Sequence, residues 1–217
     1  MGRRMLLVEG KDDKYVVEHL CRAHGIEISF EIVLPKEPMP GEEPDGGVRP
    51  LLDQVPQRLK QSDLDRLAVL LDADEDAQSR WTQLRDRLLA KGYSDVPQSP
   101  VKGGTIIDFK HELGAIRFGV WMMPDNRLPG TLEDFLAFLV PDGDRMLPRV
   151  DQFLKSIPAT ERLFPDKALP KARIHTFLAI QKEPGKPLGL AITFRYLDAG
   201  KETVKPFLNW LQSVLIE

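Results

Sequence analysis

Apolar strands and amphipathic helices alternate along most of this chain. Residues 5–10 form an apolar run that ends in Glu9-Gly10, and residues 67–76 form another that ends in Asp72-x-Asp74. Both runs have the length and the Leu/Val content of strands that are buried on both faces, as in a parallel sheet. Helical spacing of apolar residues separates the predicted strands, so the pattern predicts an α/β fold whose mainly parallel central strands are flanked by helices.

The weaker patterns predict the remaining elements of the first 140 residues. Alternation over 26–34 predicts a strand with one exposed face, and the five prolines and three glycines of 35–50 predict a loop. A helix over 51–59 must start or break at Pro56. Further strands are predicted at 105–107 and 117–123, and helices at 81–91 and 131–140.

The pattern changes beyond Val140. Helices are predicted at 148–157, 168–182 and 203–216, while 189–197 fits a strand or an ordered loop. We therefore predict an α/β domain over 1–140 and a mostly helical extension over 141–217 that packs on it.

Composition predicts a cytoplasmic protein without a membrane segment. No stretch approaches the ~18 consecutive apolar residues of a membrane span, and the first residues do not resemble an export signal. The single cysteine, Cys21, cannot form an internal disulfide and suits a reducing compartment.

Charge is unevenly distributed. The net charge is −3, yet residues 145–186 contain nine Lys/Arg against four acids. A basic face beside a metal site would suit a nucleic-acid substrate, although solvated helix faces explain the same charges equally well.

Three acids follow the two apolar runs. The carboxyl ends of adjacent parallel strands meet at one sheet edge, which would bring Glu9, Asp72 and Asp74 together. Carboxylates at one point repel each other unless a cation lies between them, and all-oxygen ligation favours Mg²⁺ or Mn²⁺. Capping of the following helices is the alternative role of these acids.

The combination of Val8-Glu9-Gly10 with Asp72-x-Asp74 resembles the Toprim domain of topoisomerases, primases and OLD-family nucleases. The stretch from Trp121 to Phe135 is similar to the OLD branch and its small relatives. The resemblance implies a Toprim-like wound sheet with one or two Mg²⁺ or Mn²⁺ ions.

The resemblance also implies roles for single residues. Glu9, Asp72 and Asp74 correspond to the catalytic and metal-binding acids. Asp13 corresponds to an acid that helps to hold a second metal ion, and capping of the following helix explains it equally well. Glu133, beside Thr131, corresponds to a further catalytic and metal-binding acid, although Thr131 and Asp134 also fit a helix-capping box. Lys171 is the candidate for the catalytic lysine, with Lys167 and Lys201 as substitutes.

These features lead us to expect a metal-dependent nuclease that cleaves phosphodiester bonds in DNA or RNA. Two alternatives stay open: a Toprim maturase of ribosomal RNA, and a non-catalytic module that binds nucleic acid or a protein partner. OLD proteins carry an ATPase in the same chain, so a separate ATPase partner is also conceivable.

Overall fold

A computed structural model describes residues 2–35, 48–111 and 114–217. The strands in the described residues are β1 (Arg3–Leu7), β2 (Glu31–Val33), β3 (Leu64–Asp72), β4 (Thr105–His111) and β5 (Gly114–Met123). The α-helices are α1 (Lys11–Ala23), α2 (Arg49–Arg58), α3 (Ala77–Leu89), α4 (Leu132–Phe138), α5 (Met146–Ser156), α6 (Leu169–Ala179), α7 (Leu188–Thr193) and α8 (Lys205–Leu215). Two short 3-10 turns precede α6 and α8.

The strands form one mostly parallel sheet in the order β2-β1-β3-β5-β4. The first four in this order run parallel, and only β4 pairs antiparallel, through a hairpin with β5. The predicted α/β class, with a mainly parallel sheet, flanking helices and a helical C-terminal part, is confirmed. No helix among these described residues is both long and apolar enough to cross a membrane.

Alternate residues of the central strands contribute to two separate cores. On one face, Met5, Leu7, Val69 and their neighbours pack with α2 and α3. On the other face, residues such as Leu6, Ala68 and Trp121 pack with α1 and with the helices that follow β5. Burial on both faces explains why these strands are continuously apolar in the sequence.

The C-terminal helix α8 lies against the centre of the sheet. Arg4, Arg66 and Arg117 occupy adjacent positions on β1, β3 and β5. Their guanidinium groups donate hydrogen bonds to the carbonyl groups of residues 213–216 at the end of α8. These carbonyls lack partners within the helix, so the three arginines complete its C-terminus.

Three local predictions are wrong. The predicted strand over 26–34 is reduced to Glu31–Val33, at the edge of the sheet. Residues 189–197 are neither strand nor only loop, because Leu188–Thr193 is helical and packs against α1. Pro56 neither starts nor ends α2 but lies inside its last turns. Most of the predicted loop at 35–50, namely 36–47, lies outside the described residues.

Candidate functional site

Glu9 and Asp72 meet at the carboxyl edge of the sheet. Leu7 of β1 pairs in register with Val69 of β3, so the next residues of both strands emerge side by side. Glu9 Oε1 accepts a hydrogen bond of 2.7 Å from the backbone N–H of Asp72. The pairing of β1 with β3 therefore brings the side chains of Glu9 and Asp72 together at the carboxyl edge of the sheet.

The first turn of α1 adds a third carboxyl group. Gly10 caps the helix, and Asp13 Oδ2 accepts the Gly10 N–H at 2.9 Å. Asp13 is nevertheless only 8% exposed and lies close enough to Glu9 to affect its ionisation. Its helix-capping role and its place beside Glu9 are thus compatible.

The N-terminus of α4 is attached to the same edge. The backbone N–H of Leu132 donates to Asp72 Oδ1 at 2.9 Å, and Thr131 and Asp134 form the capping box that the sequence allowed. Thr131 Oγ1 also donates to Glu133 Oε2 at 2.9 Å. The carboxylate of Glu133 acts electrostatically on both Asp13 and Asp72. We call Glu9, Asp13, Asp72 and Glu133 the carboxylate cluster.

Three members of the carboxylate cluster hold their protons more tightly than free acids. Burial is the largest cause that raises the pKa of Asp72 to about 9, and the charges of Glu9, Asp13 and Glu133 raise it too. Burial, with a contribution from Asp13, raises the pKa of Glu9 to about 7. Burial and the charge of Glu133 raise the pKa of Asp13 to about 6. Burial and mutual repulsion therefore favour the protonated forms of these acids, and the hydrogen bonds of the cluster do not offset that effect.

Arg80 is a cation that lies beside this cluster. It is 8% exposed, and it forms an ion pair with Asp74 and donates from Nε to the carbonyl oxygen of Asp72 at 3.1 Å. Its charge also lowers the pKa of Glu9, against the larger effect of burial. Sequence reasoning missed Arg80. The available signal was a charged residue at a core-facing position of α3, in helical register with Ala77, Trp81 and Leu84.

Asp74 leaves the strand in a left-handed conformation. Its φ is 52°, which aspartate tolerates better than most residues. Its backbone exchanges two hydrogen bonds with Gly130, at 2.9 and 2.7 Å, and its carboxylate lies largely in solvent, paired with Arg80. This backbone pairing joins the end of β3 to the segment that begins α4.

A cavity of about 640 Å³ opens beside Asp74. Its lining comes from the segment after β3, from the start of α4 and from the turn before α6. The charged residues in the lining are Asp74, Glu75, Asp76, Arg80, Asp134, Asp166 and Lys167. Asp76 caps α3, Asp134 caps α4 and Asp166 pairs with Arg162, so much of this acidity already has structural partners. The cavity is of a size that accommodates a small ligand.

Comparison with known families places the chain in one of them. A family model described as a protein of unknown function (DUF3226) matches residues 3–216. This chain belongs to the DUF3226 family. No curated protein and no solved structure matches it. Because the match spans both the carboxylate cluster and the C-terminal helices, the DUF3226 unit includes the whole described fold.

The other candidates in this DUF3226 chain occupy different places. Lys171 is exposed on α6 and is absent from the cavity lining, whereas Lys167 is part of it. Lys201 pairs with Asp142. The structure thus brings Glu9, Asp13, Asp72 and Glu133 together, places Asp74 beside them, and leaves Lys171 apart.

The side chains of the DUF3226 site do not form a finished coordination sphere. Across residues 2–35, 48–111 and 114–217, no three His, Cys, Asp or Glu side chains have the arrangement needed to hold a metal ion. Hydrogen bonds instead orient the carboxyl groups: Glu9 towards the Asp72 backbone, Asp13 towards Gly10, and Asp72 towards Leu132. Binding of a cation would require side-chain rotations that exchange these bonds for metal–oxygen bonds.

Proposed function

We propose that this DUF3226 chain is a Mg²⁺- or Mn²⁺-dependent nuclease that cleaves phosphodiester bonds through a Toprim-like site. The observation that carries the proposal is the carboxylate cluster, in which three acids on neighbouring elements have raised pKa values. A purely structural role would be served by one capping acid for each helix, and it would not require several carboxyl groups to repel each other at a sheet edge.

The donor set fits a hard divalent cation. Every side-chain donor in the cluster is a carboxylate oxygen, which Mg²⁺ and Mn²⁺ prefer over softer ligands. Glu9, Asp13, Asp72 and Glu133 would hold the ion, and Asp74 would join them by leaving Arg80. A bound ion would supply neutralisation of the scissile phosphate and a more acidic water.

The protein's own groups supply orientation and proton transfer. The Leu132 N–H holds the Asp72 carboxyl group, and Arg80 holds Asp74. Before a cation binds, the pKa of Glu9 is raised to about 7, so its carboxyl group can exchange a proton near neutral pH. A bound cation would favour the ionised carboxylate, so Glu9 would act as a general acid or base only while it is not a ligand of the ion.

A non-catalytic binding module is the second candidate function. It is favoured by the incomplete coordination geometry among the described residues. In that case the carboxylate cluster would stabilise the fold only through helix capping, and nucleic acid or a partner would bind without cleavage.

Cleavage assays separate the two candidates. Purified protein with Mn²⁺ should nick plasmid DNA or degrade single-stranded DNA or RNA, and Asp74→Ala should reduce the rate by about 10–100-fold, because the loss even of a group that only orients a metal ligand typically costs that much. Glu161→Ala, which removes an exposed acid far along the chain, is the control and should cleave as wild type does.

Two results would contradict the nuclease proposal. Wild type that binds nucleic acid without cleaving DNA or RNA, with either ion, would support the binding module instead. Cleavage that persists in Asp74→Ala would place the activity at another site or in a contaminant.

A further inference from the structure

A stripe of basic side chains runs along the exposed face of α6. Lys167 lies in the turn Asp166–Ala168, and Lys171 and His175 follow at intervals of four residues within the helix. All three side chains are exposed. Residues four apart lie on one face of a helix, with Cβ atoms ~6 Å apart, and α6 itself contains no acid. We call Lys167, Lys171 and His175 the α6 stripe.

The two lysines of the α6 stripe belong to the unpaired part of the basic segment 145–186. In the part of the chain that the structure describes, neither Lys167 nor Lys171 forms an ion pair, whereas Arg162, Arg173 and Lys186 pair with Asp166, Asp151 and Glu183. Four further basic residues of the segment are also without an ion pair among the described residues: Arg145, Arg149, Lys155 and Lys182. The α6 stripe is distinguished from these four by its position, because Lys167 lines the cavity beside Asp74.

The α6 stripe begins at the cavity beside Asp74, whose lining adjoins the carboxylate cluster through Ala73 and Thr131 and does not include the cluster itself. Lys167 and Pro170 line the cavity that also contains Asp74 and Thr131. Helix α6 packs against α4, whose first N–H group binds Asp72. A nucleic-acid strand that leaves the cavity along α6 would pass over the α6 stripe.

The charges of the cavity lining indicate that the affinity for a polyanion must come from residues outside the cavity. Five acids and two basic residues line the cavity, so the cavity alone repels phosphate. The α6 stripe places positive charge at the edge of this cavity. Lysine contacts to phosphates supply most of the sequence-independent affinity of nucleic-acid-binding proteins.

We propose that the α6 stripe is the docking surface for the phosphodiester backbone of nucleic acid, and that it guides the strand to the cavity beside Asp74. This inference rests on the proposed function, since it takes the carboxylate cluster as the place of cleavage. The α6 stripe would recognise phosphate groups, which DNA and RNA share, so the experiment uses both nucleic acids.

Salt-dependent binding tests the stripe without any cleavage. Anisotropy of labelled single-stranded DNA and RNA is measured with EDTA over a range of NaCl concentrations. The double variant Lys167→Ala/Lys171→Ala should bind more weakly than wild type, and the slope of log K against log salt should become shallower by about 1 to 2, the value for two lost phosphate contacts.

The control removes the same charge elsewhere. Lys91 and Lys102 are exposed, lie after α3 and before β4, and form no ion pair among the described residues. Lys91→Ala/Lys102→Ala should keep the wild-type slope. Equal losses in both double variants, wild-type binding by the stripe variant, or no binding of DNA or RNA by wild type would each overturn the stripe proposal.

The same proteins separate this proposal from the nuclease proposal. The stripe variant should keep the thermal response of wild type to Mn²⁺, because it retains the carboxylate cluster. A wild type that lacks both Mn²⁺ response and cleavage, yet binds through the stripe, would refute the nuclease and leave the docking surface intact.

Discussion

At the scale of single residues, the main feature is a group of carboxyl groups whose burial disfavours their charged forms. Asp72 illustrates the conflict. The N–H of Leu132 stabilises its charged form, yet burial and three neighbouring carboxylates outweigh that bond and raise its pKa to about 9. The folded protein therefore keeps a proton on Asp72 under conditions in which the unfolded chain has lost it.

This proton makes stability depend on pH. An aspartate in an unfolded chain has a pKa of about 4, and the raised value in the fold means that the native state binds more protons from about pH 4 to pH 9. Stability from this group is complete below pH 4 and is lost as pH rises towards 9. Asp72→Asn removes the charge but keeps an oxygen that can accept the Leu132 N–H.

We therefore expect Asp72→Asn to melt at a higher temperature than wild type at pH 8 to 9 without metal, with the difference shrinking towards pH 5. Mn²⁺ should raise the melting temperature of wild type and change the variant little. Differential scanning fluorimetry over this pH range measures both effects, with Glu161→Gln as the control. An unchanged pH profile in Asp72→Asn would show that the charge repulsion is absent.

Some site residues were predictable and others were not. Glu9, Asp72 and Asp74 follow apolar strands, and the parallel pairing that brings strand ends together is itself predictable from the sequence. Arg80 could not be predicted as a site residue. Helical periodicity identifies its position as buried, but the sequence does not show which acid a buried arginine would pair with. Lys171 was selected by its resemblance to a family pattern, and only the folded chain shows that Lys167 is the lysine at the cavity.

At the scale of elements, α8 shows how tightly the C-terminal part is fitted to the sheet. Gly119 of β5 faces this helix, and a Cβ atom there would lie 2.5 Å from Cγ2 and 2.8 Å from Cγ1 of Val214. The helix can approach because residue 119 has no side chain. The ladder of Arg4, Arg66 and Arg117 then fixes its end.

Gly119→Ala should destabilise the protein by about 1–3 kcal/mol, the usual range for overpacking a core. Gly103→Ala is the matched control, because nothing lies within 4 Å of its added Cβ atom, and it should change stability by less than about 0.5 kcal/mol. Urea unfolding of the three proteins gives the comparison. Equal stabilities for Gly119→Ala and wild type would mean that α8 is not held close to β5.

The missed elements have a common physical cause. The alternation over 26–34 was real, but a strand forms only where a neighbour offers hydrogen bonds, and β1 pairs with just three of these residues. Helix α7 is short, so its six residues contain too few turns for helical periodicity to be recognised. In both cases the local preference for a secondary structure is weak, and tertiary contacts determine which structure forms.

At the scale of the whole molecule, the two predicted domains share a core. The cluster on one face of the sheet combines Leu6, Val16 and Trp121 from the first 140 residues with Phe207 and Trp210 from the last helix. The rings of Trp121 and Phe207 lie 5.4 Å apart in an edge-on arrangement. Removal of the extension would expose this apolar face to water.

We therefore expect one cooperative unfolding transition, observed at the same denaturant concentration by tryptophan fluorescence and by far-ultraviolet circular dichroism. A fragment of residues 1–140 should be poorly soluble or lack a cooperative transition. Two separate transitions, or a stable and cooperative 1–140 fragment, would show that residues 1–140 fold independently of the extension.

The central claim is that the carboxylate cluster binds a divalent cation. A crystal of wild type soaked in Mn²⁺ tests it most directly, since the anomalous signal of manganese identifies the ion and its ligands. We expect one or two manganese peaks among Glu9, Asp13, Asp72 and Glu133, with metal–oxygen distances of ~2.1 Å and Asp74 turned away from Arg80. A cluster without a manganese peak at millimolar Mn²⁺, with the Arg80–Asp74 pair intact, would contradict it.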